Sequence, residues 1–209
     1  MSSCIRPAGA CLALLALSGL GACVDPPARF DEFSERVVDA GQAVNRDGGG
    51  GLFEIDGEFL LSIGISFAPD NPLRFVATTD ITINGDSGTL TLSFQPLAFE
   101  TCDAGNGGNE VGDPLEASDL PVDAAGVFQL THDGATVVGL ANPVSCGDIV
   151  ADLVLDGVIQ SEDLFCGEVS GQAHQPLEIS LDGSTFAAIR IDPGTRGDAN
   201  LPAAVTACP

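Results

Sequence analysis

Apolar and polar residues alternate along most of the chain beyond residue 51, with a period of two. The clearest stretch is Leu52 to Phe67, LFEIDGEFLLSIGISF. Phe53, Ile55, Gly57, Phe59, Leu61, Ile63, Ile65 and Phe67 occupy one set of alternate positions. Glu54, Asp56, Glu58, Leu60, Ser62, Gly64 and Ser66 occupy the other. Residues two apart share a face of a strand, so one face is hydrocarbon and the other mostly polar, as in a half-buried antiparallel strand. Fully extended, the stretch would span about 50 Å at roughly 3.3 Å per residue, longer than strands usually run. It must bend. The alternation keeps its phase through Gly57, so a bulge at Gly57 or Gly64 is expected rather than a turn at Asp56-Gly57.

Shorter copies of the pattern follow. Leu73–Ile83 carries Phe75, Ala77, Thr79, Ile81 and Ile83 on one side, and Thr89–Ala98 carries Leu90, Leu92 and Phe94. A turn centred on Asp86-Ser87 would set Ile83 opposite Leu90 and Ile81 opposite Leu92, so that the apolar faces agree. The alternation lapses from Glu100 to Gly126, which predicts a long loop. Val127–His132 and Ala135–Leu140 read as a hairpin turned by Asp133-Gly134. Ile149–Gln160 and Leu164–Gly171 alternate again. Leu177–Leu181 and Thr185–Ile191 read as a last hairpin turned by Asp182-Gly183, although Phe186 and the Ile189/Ile191 pair fall in opposite phases. Upstream, Phe30, Phe33 and Val37 at helical spacing, with Asp31, Glu32 and Glu35 early, predict a short amphipathic helix at about Arg29–Ala40.

The pattern therefore predicts an all-β domain over 51–192: eight or nine antiparallel strands joined mostly by hairpins. Such a meander closes most readily as an up-and-down barrel, with a β-sandwich as the alternative. Residues 23–50 form a linker with the short helix, and 193–209 a Gly/Pro-rich coil tail.

Residues 1–22 have a different character. Arg6 precedes an apolar run, Ala8–Ala22, too short to span a bilayer comfortably and laid out as an export signal. The run ends in Leu20-Gly21-Ala22-Cys23, which resembles the lipobox of bacterial lipoproteins. The resemblance implies cleavage before Cys23 and lipid attachment there, so that acyl chains hold the protein on the membrane. Val24 rather than Asp follows the cysteine, and by resemblance to proteobacterial sorting this favours the outer membrane, on its periplasmic or surface side.

Charge narrows the partners. The chain has 30 acidic residues against seven basic, all arginine, for a formal charge of −23. Residues 1–22 contribute one arginine and no acid, so the mature chain stands at −24. A field of that sign repels phosphate backbones and excludes nucleic acid as a partner. It equally repels anionic lipid, which leaves the Cys23 anchor as the hold on the membrane.

Four cysteines follow Cys23: Cys102, Cys146, Cys166 and Cys208. An even number in an exported chain predicts two disulfides, and no C-x-x-C spacing suggests zinc. In an up-and-down arrangement Cys102 and Cys146 lie at the same end, and the tail can carry Cys208 to Cys166. Cys102–Cys146 and Cys166–Cys208 are therefore the expected pairs. A turn at Asp156-Gly157 would instead bring Cys146 and Cys166 together.

Candidate chemistry is sparse. Asp103, Asn106, Asn109, Glu110 and Asp113 are hard oxygen ligands interleaved with glycine, suited to calcium but not in EF-hand spacing. No other cofactor is suggested. His132 and His174 are the only histidines; His132 is in phase with Phe128 and Leu130, hence inward at a barrel rim. No nucleophile elbow or H-E-x-x-H motif occurs, so no catalytic residues are assigned and an enzyme is not expected. Arg196-Gly197-Asp198 spells an adhesion tripeptide, read as a chance match. Small inward residues (Gly57, Ala77, Thr79, Gly139, Ala151, Gly157, Gly167) leave room for a small apolar ligand, unless Phe53, Phe59, Phe75, Phe94 and Phe165 fill it. The expected function is a cell-envelope lipoprotein whose barrel binds such a ligand. The alternative is a structural or surface-interaction lipoprotein with a filled core and acidic, calcium-binding loops.

Overall fold

The computed structural model describes residues 52–209; Cys23, the leader and the helix expected at Arg29–Ala40 lie outside them. Nine strands follow in order: β1 (Gly57–Gly64), β2 (Leu73–Asn84), β3 (Ser87–Pro96), β4 (Leu115–Val122), β5 (Val127–Val137), β6 (Ile149–Ser161), β7 (Leu164–Gln175), β8 (Ile179–Ser180) and β9 (Ser184–Arg190). Each of β1 to β7 pairs antiparallel with the next, and β9 pairs with both β1 and β7. The sheet therefore closes on itself as an eight-stranded up-and-down barrel, with β4 and β5 paired only at Val122 and Phe128, beside their turn. β6 covers one edge of β7 over nearly its full length, so β8 and β9 share the other, at successive positions.

Several expectations need correction. The Leu52–Phe67 stretch forms a strand only over Gly57–Gly64, which Gly57 enters at φ +131°. Ile55 is nevertheless buried, while Phe53 and Phe67 are exposed. In the β2–β3 hairpin Ile81 lies opposite Leu90 and Ile83 opposite Gly88, a slip of two residues from the expected register. The turn falls at Gly85-Asp86, where Gly85 takes φ +65°. A slip of two preserves the faces, so the alternation could not detect it. The long loop expected from Glu100 to Gly126 contains β4. Asp133-Gly134 is not a turn but lies within the continuous β5. Nor do β8 and β9 form a hairpin, since both pair with β7.

Two of these failures share a cause. In β4, Leu90 and Leu92 of β3 face Leu120 and Ala117, so Ser118 and Asp119 together oppose Thr91, and Asp119 adopts φ +58°. In β5, His132 and Ala135 face Leu153 and Ala151, so Asp133 and Gly134 together oppose Asp152. Each is a β-bulge. Asp152 Oδ1 accepts a 2.7 Å hydrogen bond from the Gly134 N–H and holds the second bulge. A bulge shifts the inward phase by one residue, so β4 presents Leu115 and Ala117, then Leu120 and Val122. β5 presents Phe128 and Leu130, then Ala135 and Val137.

The C-terminal tail has no strand but is fixed to the outside of the barrel. Leu60, Val76, Leu97 and Ile191 form a second buried cluster there, with Leu201 and Ile189 against it. This resolves the conflicting phases of β9: Phe186 and Ala188 face the interior, and Ile189 and Ile191 pack outside. Arg196 bridges Glu58 (3.0 Å) and Glu110 (2.6 Å), and Asp198 accepts from Arg74 at 2.8 Å. The Arg-Gly-Asp tripeptide thus fastens the tail. The disulfides are Cys102–Cys146 and Cys166–Cys208, with Cα separations of 5.4 and 5.3 Å, as expected. The first joins the β3–β4 and β5–β6 loops; the second ties the end of the tail to β7.

Two consequences are measurable. Gly157 and Gly167 are paired across β6 and β7, and a Cβ at Gly167 would run into the Asp156 carbonyl oxygen. Gly167→Ala is expected to destabilise the domain by about 2 kcal/mol or more in urea melts, since a closed ladder has little room to shift. The Glu58 carboxyl is held below the usual glutamate range, first by the Arg196 hydrogen bond and then by the Gly194 N–H and the Arg196 charge, against partial desolvation. Its stabilisation is complete above the unfolded value of about 4.3 and is lost as pH falls through the lower folded value. Glu58→Gln is therefore expected to cost about 1 kcal/mol at neutral pH after solvent screening, a gap that closes below about pH 4. An equal gap at all pH values in melts of both proteins would contradict this.

Candidate functional site

The barrel interior is divided by height. At the end carrying the β2–β3, β4–β5 and β6–β7 turns, phenylalanines fill it. Phe165 is fully buried at the centre, with the rings of Phe59, Phe128 and Phe186 at centroid distances of 5.1, 6.1 and 6.4 Å, all edge-to-face. The Phe128 ring lies where a Cβ on Gly157 would be. Ile55 closes this end from the segment before β1, its carbonyl accepting from the Thr79 hydroxyl. Arg190 lies over the Phe59 ring at 4.6 Å and binds Asp163 Oδ1 and the Asp56 carbonyl, each at 2.8 Å. The apolar plug thus ends in a cation whose hydrogen bonds are met.

Toward the other end the same alternation supplies alanines among larger side chains, and the interior is hollow. A cavity of about 360 Å³ is walled by Leu61, Ile63, Phe75, Phe94, Leu130, Ala135, Val137, Ala151, Leu153, Leu155, Val169 and Ala173. Its size falls within the range of small-molecule pockets, roughly 300–1,000 Å³. Both expectations about the interior hold in part: Phe59 and Phe165 fill one half, Phe75 and Phe94 line the hollow half, and Ala151 leaves room. Phe53 does neither.

Five polar side chains reach the wall, and no carboxylate, arginine or lysine does: His132, Asn142, Ser145, Gln175 and Ser184. Asn142 is committed to its own loop, donating to Ser145 Oγ (2.8 Å) and the Gly147 carbonyl (2.7 Å) and accepting from the Val144 N–H. Ser184 Oγ accepts from the Ser66 N–H. His132 faces inward as its phase predicted, just before the β5 bulge, and its ring has no hydrogen-bond partner among the described residues. His174 is outside the barrel, 2.8 Å from Asp152 Oδ2. That hydrogen bond, with the one from Gly134, lowers the Asp152 carboxyl below its ordinary range.

The rim is apolar. Phe67, Val144 and Leu177 come from three different loops, line the mouth and are 49, 47 and 64% exposed. Leu115 reaches the cavity from β4, which lies in the stretch expected to be a loop, and sequence reasoning missed it for that reason.

Of the five residues that suggested calcium, Asp103, Asn106 and Glu110 use their side chains in other contacts. Asp103 Oδ1 accepts from Asn106 Nδ2 at 3.0 Å, Glu110 binds Arg196, the Asn109 carbonyl accepts from the Ala98 N–H, and Asp113 is exposed. Nearby Glu100 accepts from the Gly105 and Gly107 N–H groups. Among the described residues, no group of three or more His, Cys, Asp or Glu side chains converges. No family model, curated protein or solved structure matches the chain.

Proposed function

We propose that the protein is a cell-envelope lipoprotein, held on the outer membrane through Cys23, whose barrel binds a small apolar ligand. The observation that carries the ligand half is the blind-ended cavity, hydrocarbon-walled and open at an apolar rim. An apolar molecule entering it exchanges water for carbon on nearly all sides. The outward faces support a barrel bathed in water rather than in lipid: Asp152, Asp156 and Gln160 of β6 are exposed. A membrane-spanning barrel has the reverse arrangement, apolar outside and polar within. The anchor half rests on the Leu20–Cys23 motif and the apolar run before it.

Two experiments test the halves separately. The mature chain, exported as Cys23→Ser to remove the lipid, is expected to enhance the fluorescence of the neutral probe N-phenyl-1-naphthylamine. Ala151→Phe, which fills the cavity from its wall, is expected to weaken that binding at least tenfold while thermal unfolding remains cooperative. Equal binding by both proteins, or none by either, would place the function elsewhere. For the anchor, metabolic labelling with a tritiated fatty acid is expected to mark the wild-type chain in the outer-membrane fraction and not the Cys23→Ser variant; label on both would refute acylation at Cys23.

A further inference from the structure

We infer that the ligand is an uncharged amphiphile: a hydrocarbon body carrying one neutral oxygen function, such as an alcohol or ketone, that hydrogen-bonds His132. This rests on the cavity reading above and specifies its chemistry. Three observations converge. The wall offers no counter-ion, since no Arg, Lys, Asp or Glu lines it. A charge of either sign taken inside would therefore be desolvated without a permanently charged partner, which is strongly unfavourable.

The arginines of the described residues are committed elsewhere. Arg74 pairs with Asp198, Arg190 seals the plugged end, and Arg196 holds Glu58 and Glu110. The four connections at the open end (65–72, 97–114, 138–148 and 176–183) contain acids, among them Asp70, Asp148, Glu178 and Asp182, and no basic residue. An anionic head left at the mouth would meet like charge.

The wall is not wholly inert. His132 lies midway along it, between Leu130 and the β5 bulge, with Leu153 opposite, and no described residue satisfies its ring. An imidazole can donate to a carbonyl or accept from a hydroxyl, so either oxygen function suits it. The bulge lets His132 and Ala135, three residues apart, both face the interior.

The test is displacement of N-phenyl-1-naphthylamine from the Cys23→Ser chain at pH 8 by three ten-carbon molecules: 1-decanol, decanoate and decylammonium. Decanol is expected to displace the probe at concentrations at least tenfold below either ion. His132→Phe is expected to weaken decanol about fivefold more than it weakens the probe, the ratio that one net hydrogen bond of about 1 kcal/mol gives. Either ion binding as tightly as decanol, with the probe still bound, would overturn the neutral-ligand inference and leave the cavity reading intact. An equal effect of His132→Phe on decanol and probe would overturn the His132 contact. A probe that never binds would overturn the cavity reading and, with it, this inference.

Discussion

The barrel depends on a close approach between two strands that only glycine permits. Gly157 and Gly167 face each other across β6 and β7; the Phe128 ring takes the space a Gly157 side chain would need, the Asp156 carbonyl takes that of Gly167, and Phe165 packs against Phe128. Phe165 then meets Phe59 from β1 and Phe186 from β9. Rings from four strands, β1, β5, β7 and β9, thus join the start of the meander to its end. The plug fixes the circumference at its own end, where Val122 and Phe128 join β4 to β5; further along, β4 and β5 are not paired with each other.

Much of this was legible in the sequence because alternation reports a strand's two faces directly. The all-β class, the barrel, β6 with its inward Ile149, Ala151, Leu153 and Leu155, the inward His132 and both disulfides followed from period and order. What failed did so for definable reasons. β4 was hidden because its bulge at Ser118-Asp119 splits a short strand into two fragments of opposite phase, and because Pro121 and two acids give it little strand character. In β5, Asp-Gly has the chemistry of a tight turn, and only the Asp152 carboxylate across the sheet makes it a bulge. No local signal distinguishes these outcomes, since the deciding partner lies on another strand. The β2–β3 register was invisible for the converse reason: a slip of two residues changes no face.

The tail shows how a second buried surface confuses a one-sided reading. A barrel strand normally has one apolar face, so Phe186 and Ile189/Ile191 in β9 looked contradictory. Both are apolar because both are covered, one by the interior and the other by residues 191–201 folded back along β1 and β2. The cover explains Leu60 and Val76, which break the polar face of β1 and β2 and are almost fully buried. It also gives Glu58, Glu110 and Asp198 a structural use. Glu110, one of the five residues that suggested calcium, belongs to this charge-paired clasp, which depends on where the distant Arg196 comes to rest.

The cavity is the feature that stability alone does not explain. Mutational cavities cost roughly 24 cal/mol per Å³ when dry and sealed, so 360 Å³ would correspond to about 9 kcal/mol, comparable to the whole stability of a typical domain. Access to water through the mouth reduces that figure, but water against a hydrocarbon wall has few partners there. Larger side chains at Ala135, Ala151 and Ala173 would fill the space without disturbing the ladder, because all three point into it. At the plugged end this chain fills its interior with phenylalanine. The open end keeps alanine and a histidine without a partner among the described residues, places Phe67, Val144 and Leu177 at the mouth, and ties two of its loops together through Cys102–Cys146. Those choices have a common physical sense if the missing apolar contacts are supplied by a ligand, whose binding would recover the burial that the empty barrel forgoes.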